Sequence, residues 1–242
     1  MLSNILIQTG LFLIVLLLVT KPMGLWLANV MNGNCKAVNK IGGPLERIIY
    51  RILGVMPDKE MHWKQYAVAL IVFNLLGIAA VYVLQRWQVW LPLNPQNFPA
   101  VSVDSSLNTA ISFVTNTNWQ GYSGEVTMSY LTQMLGLTVQ NFLSSATGVA
   151  VVFALIRGFA RHSSSTIGNF WVDITRSTLY ILLPLSFLFA IALMGQGVIQ
   201  NFDAYKQVNT LQTTSYTAAN DAGEQVAQTI NTQTLAMGPV AS

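Results

Sequence analysis

Long apolar runs alternate with shorter polar segments along the 242 residues of the chain. Four of these runs contain about the 20 residues that a helix needs to cross a bilayer, or more. They predict an all-α polytopic membrane protein. The predicted order is a transmembrane helix at residues 1–20, a loop at 21–65, a second transmembrane helix at 66–90, a mixed segment at 91–125, a third helix at 126–157, a loop at 158–176, a fourth helix at 177–197 and a polar loop at 198–242.

The composition agrees with a membrane protein, because 52% of the residues are hydrophobic and 9% are charged, against about 25% charged in soluble domains. Of the 12 Lys and Arg residues, ten lie in or beside the loops at 21–65 and 158–176. Cytoplasmic loops carry such an excess, so we predict that both are cytoplasmic and that the N-terminus is outside. Lys21 follows the first apolar run, whereas a signal peptide has its basic residues before that run. The same charge distribution explains the basic pI without nucleic acid.

The first loop contains a predicted amphipathic helix. Its apolar face consists of Leu45, Ile48, Ile49, Ile52 and Leu53, and its polar face of Glu46, Arg47, Tyr50 and Arg51. Pro44 suits its first turn and Gly54 its C-terminal cap, while Pro22 is predicted to end the preceding transmembrane helix. Such a helix lies either on the membrane surface or against a partner subunit.

A polar stretch at residues 112–125 interrupts the apolar pattern between the second and third predicted helices. It follows a helical pattern at 104–114 that is too short to cross a bilayer. Non-helical backbone at membrane depth is tolerated only where protein buries it or where it lines a water-filled cavity. We therefore predict a re-entrant loop, and the negative end of the short helix dipole would favour a cation beside it.

The sequence Thr-Asn-Thr-Asn-Trp-Gln at 115–120, followed by Gly-Tyr-Ser-Gly-Glu, resembles the first filter of the potassium-binding subunit of the bacterial Kdp potassium-transporting P-type ATPase. The chain is similar to that family along essentially its whole length, including residues 61–66, 91–95, 136–143, 153–157 and 237–242. The resemblance implies a helix–re-entrant pore loop–helix repeat of the potassium-channel-like superfamily, preceded by one extra transmembrane helix. The family has four such repeats and this chain one complete repeat, so it resembles the N-terminal part of the subunit.

The resemblance implies a potassium-binding and translocating subunit of an ATP-driven import complex in the bacterial inner membrane. A separate P-type subunit would hydrolyse ATP and small accessory membrane subunits would complete the complex. Two alternatives are a passive or ion-coupled potassium channel or transporter, and an inactive fragment. K⁺ is the only expected ligand, and no organic cofactor is implied.

A dehydrated potassium ion needs oxygen dipoles in place of its water. The first candidates are the backbone carbonyls of residues 115–118, namely Thr115, Asn116, Thr117 and Asn118, and we expect the two Asn side chains to bond neighbouring backbone. Gln120 is predicted to hold the loop or to contribute an oxygen. Gly121 and Gly124 would permit the turns that leave the filter, and Glu125 would either attract cations or cap the third transmembrane helix.

No phosphate-binding Gly-rich loop and no phosphorylatable Asp-Lys-Thr-Gly sequence occurs in the chain, so we expect it not to hydrolyse ATP by itself. Asp58 and Asp173 are expected to have structural or surface roles. Cys35 is the only cysteine and the two histidines lie far apart, which gives no zinc-ligand spacing. One face of the third helix carries Gln133, Gln140, Ser144 and Gly148, which serve either helix packing or the ion pathway.

Overall fold

The computed structural model describes residues 2–161, 165–198, 201–219 and 225–238. It is predominantly helical, and four of its helices are long and apolar enough to cross a membrane, which confirms the predicted all-α polytopic class. In chain order the elements are α1 (Leu2–Met31), α2 (Lys36–Leu53), α3 (Trp63–Trp87), α4 (Val103–Val114), α5 (Gly124–Thr127), α6 (Thr132–Ala160), α7 (Phe170–Gly195), β1 (Lys206–Ala219) and β2 (Gln225–Leu235). Two helices contain wide π-helical turns, at Thr132–Thr138 in α6 and at Ser177–Leu182 in α7.

The helix α1 passes through Pro22 and continues to Met31, so the predicted break at Pro22 is wrong. Proline interrupts a helix in water because it lacks an N–H group and crowds the preceding turn. Membrane helices tolerate it because neighbouring groups satisfy the freed carbonyls. The polar segment after residue 20 is therefore partly helical.

Residue contacts divide the chain into two compact units, Met1–Leu75 with Phe142–Phe189, and Leu76–Asn141 with Ala190–Ser242. In the first unit, Tyr66 and Phe170 pack with alanines that recur at every fourth position of α6. These alanines, Ala146, Ala150 and Ala154, are buried and form a smooth stripe along the helix. Small side chains at such positions let membrane helices approach closely.

A buried ion pair joins α6 to α7 in the same unit. Arg157 donates two hydrogen bonds to Asp173, of 2.5 and 2.8 Å. The Tyr66 hydroxyl donates to the same carboxylate at 3.0 Å, and Asp173 is 1% exposed. Asp173 therefore has the structural role that was one of its two expected roles. It lies inside α7 rather than in a loop, because α7 begins at Phe170, before the predicted end of that loop at residue 176.

The helix α2 is anchored by its polar side. Glu46 is buried and accepts hydrogen bonds from Tyr50, from Tyr180 of α7 at 2.5 Å and from Arg176 at 3.0 Å. Gly54 has the left-handed conformation (φ 64°) predicted for the C-terminal cap. Pro44 lies inside the helix rather than in its first turn, because α2 begins at Lys36.

The second unit has its own core, formed by Val81 of α3, Ala110 and Phe113 of α4, and Leu137 of α6, together with Val101 and Met128. It also contains an antiparallel hairpin, β1–β2, whose register runs from Lys206 opposite Leu235 to Ala219 opposite Gln225. This hairpin lies in the segment predicted as a polar loop at 198–242. Residues 162–164 of the other predicted loop, and 239–242 of the segment resembling a second pore-helix approach, lie outside the described residues.

Candidate ion-binding loop

The short helix α4 carries the candidate loop at its C-terminal end. The Ser102 hydroxyl caps its N-terminus by accepting a hydrogen bond from the Ser105 N–H, and Asp104 lies in the first turn, where a negative charge is favourable. The helix has 12 residues, which corresponds to a length of about 18 Å against a hydrocarbon core of about 30 Å. It cannot cross a bilayer alone, as the sequence predicts.

Two fully buried glutamines at the end of α3 hold this region. Gln85 donates to the Ser106 carbonyl of α4 at 3.1 Å. Gln88 donates to the carbonyls of Pro99 and Thr127 and accepts from the Ser129 N–H and the Thr132 hydroxyl. A single side chain thus connects the segment before α4 with the segment that leads into α6.

Residues 115–119 fold back over the last turn of α4, and the Ser112 carbonyl is the centre of this fold. It accepts hydrogen bonds from the backbone N–H groups of Thr117 and Asn118, at 3.1 and 3.3 Å, and from the Thr117 hydroxyl at 3.2 Å. The Ser112 hydroxyl, which is fully buried, donates to the Trp119 carbonyl at 2.8 Å. Consecutive N–H groups that converge on one acceptor are typical of backbone that alternates between right- and left-handed residues.

The direction of the loop carbonyls follows from these bonds. Asn116 and Asn118 have positive φ angles of 57° and 53°, and none of the peptide bonds in the described ranges is cis. In a planar trans peptide the N–H and the preceding C=O point in opposite directions. Because the Thr117 and Asn118 N–H groups point at Ser112, the carbonyls of Asn116 and Thr117 point away from it.

The loop carbonyls also lack donors among the residues that the structure describes. Within the described part of the chain, no hydrogen bond reaches the carbonyl oxygens of Thr115, Asn116, Thr117 and Asn118, all of which are exposed residues. The next carbonyl, at Trp119, is already taken by Ser112. The result is a run of consecutive carbonyls, on exposed residues and without donors in the described part of the chain, at the negative end of a helix. Such an arrangement suits a dehydrated monovalent cation.

The asparagine side chains do not bond neighbouring backbone, and that expectation is wrong. The Asn118 amide donates to the Asn116 side-chain oxygen at 3.2 Å and to the Asn141 side-chain oxygen of α6 at 3.0 Å. The two residues with left-handed backbone are therefore clamped to each other and to α6. This clamp needs a residue 23 positions away in sequence.

A protein-family profile described as "Potassium-transporting ATPase A subunit" matches residues 10–242 of the chain. The chain belongs to this family. Curated relatives named "Potassium-transporting ATPase potassium-binding subunit" include those of Dechloromonas aromatica, 60% identical over 98% of the chain, and Ralstonia pickettii, 59% identical over 98%. The relative from Herpetosiphon aurantiacus is 56% identical over the whole chain. The chain spans 41%, 42% and 40% of the length of these three relatives.

The other predicted site residues of this family member occupy different places. Gln120 is exposed, and its amide has no hydrogen-bond partner among the described residues. Gly121 and Gly124 do not have positive φ angles, and the left-handed residues of the loop are Asn116 and Asn118. Glu125 lies in the first turn of α5, a separate four-residue helix, so it does not cap the third transmembrane helix. Its remaining predicted role is the attraction of cations.

Two glutamines on the polar face of α6 have packing contacts. Gln133 donates to the Gly124 and Met128 carbonyls, at 3.3 and 3.2 Å. The Gln140 side chain lies where Gly77 leaves room, because a Cβ at Gly77 would stand 2.7 Å from its Oε1. These contacts support the packing role for Gln133 and Gln140 in this member of the potassium-transporting ATPase family.

Sequence reasoning located the loop but missed Ser112, Gln88 and Asn141 as its supports. Ser112 was inside the singled-out stretch, yet nothing in a serine indicates that its carbonyl will organise a turn. Gln88 had a weak signal, because an amide next to a transmembrane helix needs a partner. Asn141 stood beside the polar face of α6, where the sequence does not define its partner.

Proposed function

We propose that this chain is the N-terminal part of the potassium-binding subunit of an ATP-driven potassium importer. Residues 115–118 form its first selectivity filter, and potassium is bound by their backbone carbonyls. The proposal rests on this run of carbonyls at the C-terminal end of α4, which lie on exposed residues and accept no hydrogen bond from the described residues. Membership of the potassium-transporting ATPase family supplies the identity of the cation.

The filter carries no charge of its own, which suits potassium. Neutral carbonyl dipoles replace the hydration of a monovalent cation and still allow it to leave. Gln120 follows this run, and its amide, unpartnered among the described residues, contributes a further oxygen, while Glu125 raises the local concentration of cations. One loop cannot surround an ion, so further repeats of the full-length subunit complete the coordination shell.

The chain contributes selection and binding, while a separate P-type subunit hydrolyses ATP and small membrane subunits complete the complex. The excess of Lys and Arg in the α1–α3 and α6–α7 connections favours a cytoplasmic location for them. The filter then opens to the outside of the bacterial inner membrane, where potassium is taken up.

Growth of a potassium-uptake-deficient bacterium at limiting potassium tests this proposal. The full-length subunit is produced with its partner subunits, either unchanged, as Gln120→Arg, or as Gln212→Arg. The second substitution adds the same charge at an exposed site on β1 and serves as the matched control. We expect the unchanged and Gln212→Arg proteins to rescue growth, and Gln120→Arg to require much more potassium because its guanidinium repels the ion.

Equal rescue by all three proteins would move the ion site away from this loop. Rescue without any ATP-hydrolysing partner would favour a passive or ion-coupled potassium channel or transporter over an ATP-driven importer.

A further inference from the structure

The helix α2 presents three distinct faces around its circumference. Its anchored face, with Glu46 and Tyr50, is buried against the protein. With successive residues separated by about 100° around the axis, the four cations of the helix fall within an arc of about 60°, and a second arc of similar width carries exposed aliphatic residues. The cations are Lys36, Lys40, Arg47 and Arg51. The aliphatic residues are Ile41, Leu45, Ile48 and Ile52, which are 85%, 49%, 54% and 77% exposed.

The positive charge of α2 is not neutralised within the described residues. Its one acidic residue, Glu46, faces inward and pairs with Arg176. None of the four exposed cations takes part in an ion pair in the described part of the chain. The outward surface of the helix therefore combines uncompensated positive charge with branched aliphatic side chains.

The chain also restricts where α2 lies. Residues 32–35 are the only link from the end of α1 to the start of α2, and four residues extend at most about 14 Å. A nine-residue link, 54–62, leads on to α3. Both flanking helices have the length and composition of membrane spans, so α2 is held near the level at which they leave the bilayer.

We propose that α2 is a lipid-binding surface that takes anionic phospholipids. Its aliphatic face enters the outer part of the acyl layer, while Lys36, Lys40, Arg47 and Arg51 bind lipid phosphates and other anionic headgroup atoms. Aliphatic side chains beside a row of cations match an anionic membrane interface, which offers acyl chains below and negative charge above. The Glu46–Arg176 pair fixes the rotation of the helix so that both faces are presented outward.

The test uses the full-length subunit with its native cysteines replaced by serine and a single cysteine placed by Ile48→Cys. This site carries an environment-sensitive fluorophore, and the protein is reconstituted in nanodiscs of phosphatidylcholine alone or with phosphatidylglycerol. A control label at Asn209→Cys lies on the exposed strand β1. A second protein also carries Lys36→Gln, Lys40→Gln, Arg47→Gln and Arg51→Gln.

We expect lipids with a quencher on the acyl chain to quench the Ile48→Cys label at least twofold more than the control label. Phosphatidylglycerol should increase that quenching, and the four Gln substitutions should abolish the increase. A label that acyl-chain quenchers do not reach would overturn the proposal. Protection of that label when the partner subunits are added would then indicate a protein occupant. Quenching that is equal in both lipid mixtures would overturn the role of the anionic headgroup. The readout involves no potassium, so it is independent of the proposed filter.

Discussion

Replacement of Asn141 by leucine should weaken potassium binding through the loop that it supports. The substitution removes the oxygen that accepts a hydrogen bond from Asn118 at 3.0 Å, while the bond from Asn118 to Asn116 remains. One hydrogen bond contributes about 0.5–1.5 kcal/mol net. If all of it is lost from the ion-bound loop, potassium binds about two- to twelvefold more weakly, since 1.4 kcal/mol corresponds to a factor of ten.

The measurement is the potassium concentration that gives half-maximal ATP hydrolysis by the complex containing the full-length subunit. Asn141→Asp is the matched control, because it keeps an acceptor oxygen at the same place and should retain or increase the affinity. The thermal unfolding temperature of each variant separates a local effect on the loop from general destabilisation. A leucine variant that unfolds normally and has unchanged half-saturating potassium would exclude a supporting role for Asn141, as would equal weakening of binding by aspartate and leucine.

Three further outcomes follow from the buried contacts. Asp173→Asn should destabilise the protein by about 3–5 kcal/mol, because the Arg157 guanidinium is left buried without its charged partner. A double variant with Arg157→Met should regain most of the lost unfolding temperature, and no regain would argue against a stabilising role for this ion pair. Burial alone would raise the pKa of Glu46, but its hydrogen bonds and the Arg176 charge outweigh burial and lower that pKa. The ionised Glu46 carboxylate therefore stabilises the folded protein fully above its normal pKa of 4.5, and this stabilisation is lost as pH falls through the lowered pKa. Limited proteolysis should release α2 only in strong acid, and release near pH 7 would contradict this. Gln88→Leu should cost about 2–5 kcal/mol by leaving several buried groups unpaired, and a calorimetric change below 1 kcal/mol would contradict its role as a connector.

The transmembrane helices were predictable because membrane insertion depends on length and apolarity, which a sequence displays directly. The error at Pro22 had a different cause, because a rule for proline in helices in water was applied to a membrane helix. The hairpin β1–β2 was missed for another reason. Its strands are rich in Thr, Gln and Asn. They lack the strict alternation of apolar and polar residues that predicts a β-strand.

The amphipathic pattern of α2 was predicted, but the buried side of the helix was not. Periodicity shows that Ile48 and Ile52 share one face and that Glu46 and Tyr50 share another. It does not show which face contacts the protein. In this chain the buried side is the one with Glu46 and Tyr50, because Tyr180 and Arg176 supply partners for the Glu46 carboxylate, and these partners are 130 or more residues away.

The position of the candidate site could be inferred from a polar loop between apolar runs, but its internal geometry could not. Turns were predicted at Gly121 and Gly124, but the left-handed backbone at Asn116 and Asn118 was not, because glycine adopts that conformation most readily. Asparagine also tolerates this conformation, and the bonds from Asn118 to Asn116 and Asn141 hold it in place. Those bonds depend on the placement of α6 against the loop, which no local pattern specifies.

The most direct test of the potassium site is an anomalous-scattering crystal structure of the full-length subunit with rubidium or thallium in place of potassium. We expect an anomalous peak in contact with the carbonyl oxygens of residues 115–118, and added potassium should compete with it. The peak should weaken in Asn141→Leu crystals and persist in Asn141→Asp crystals. A peak at side chains elsewhere in the protein, with none at residues 115–118, would show that this loop is not the potassium site.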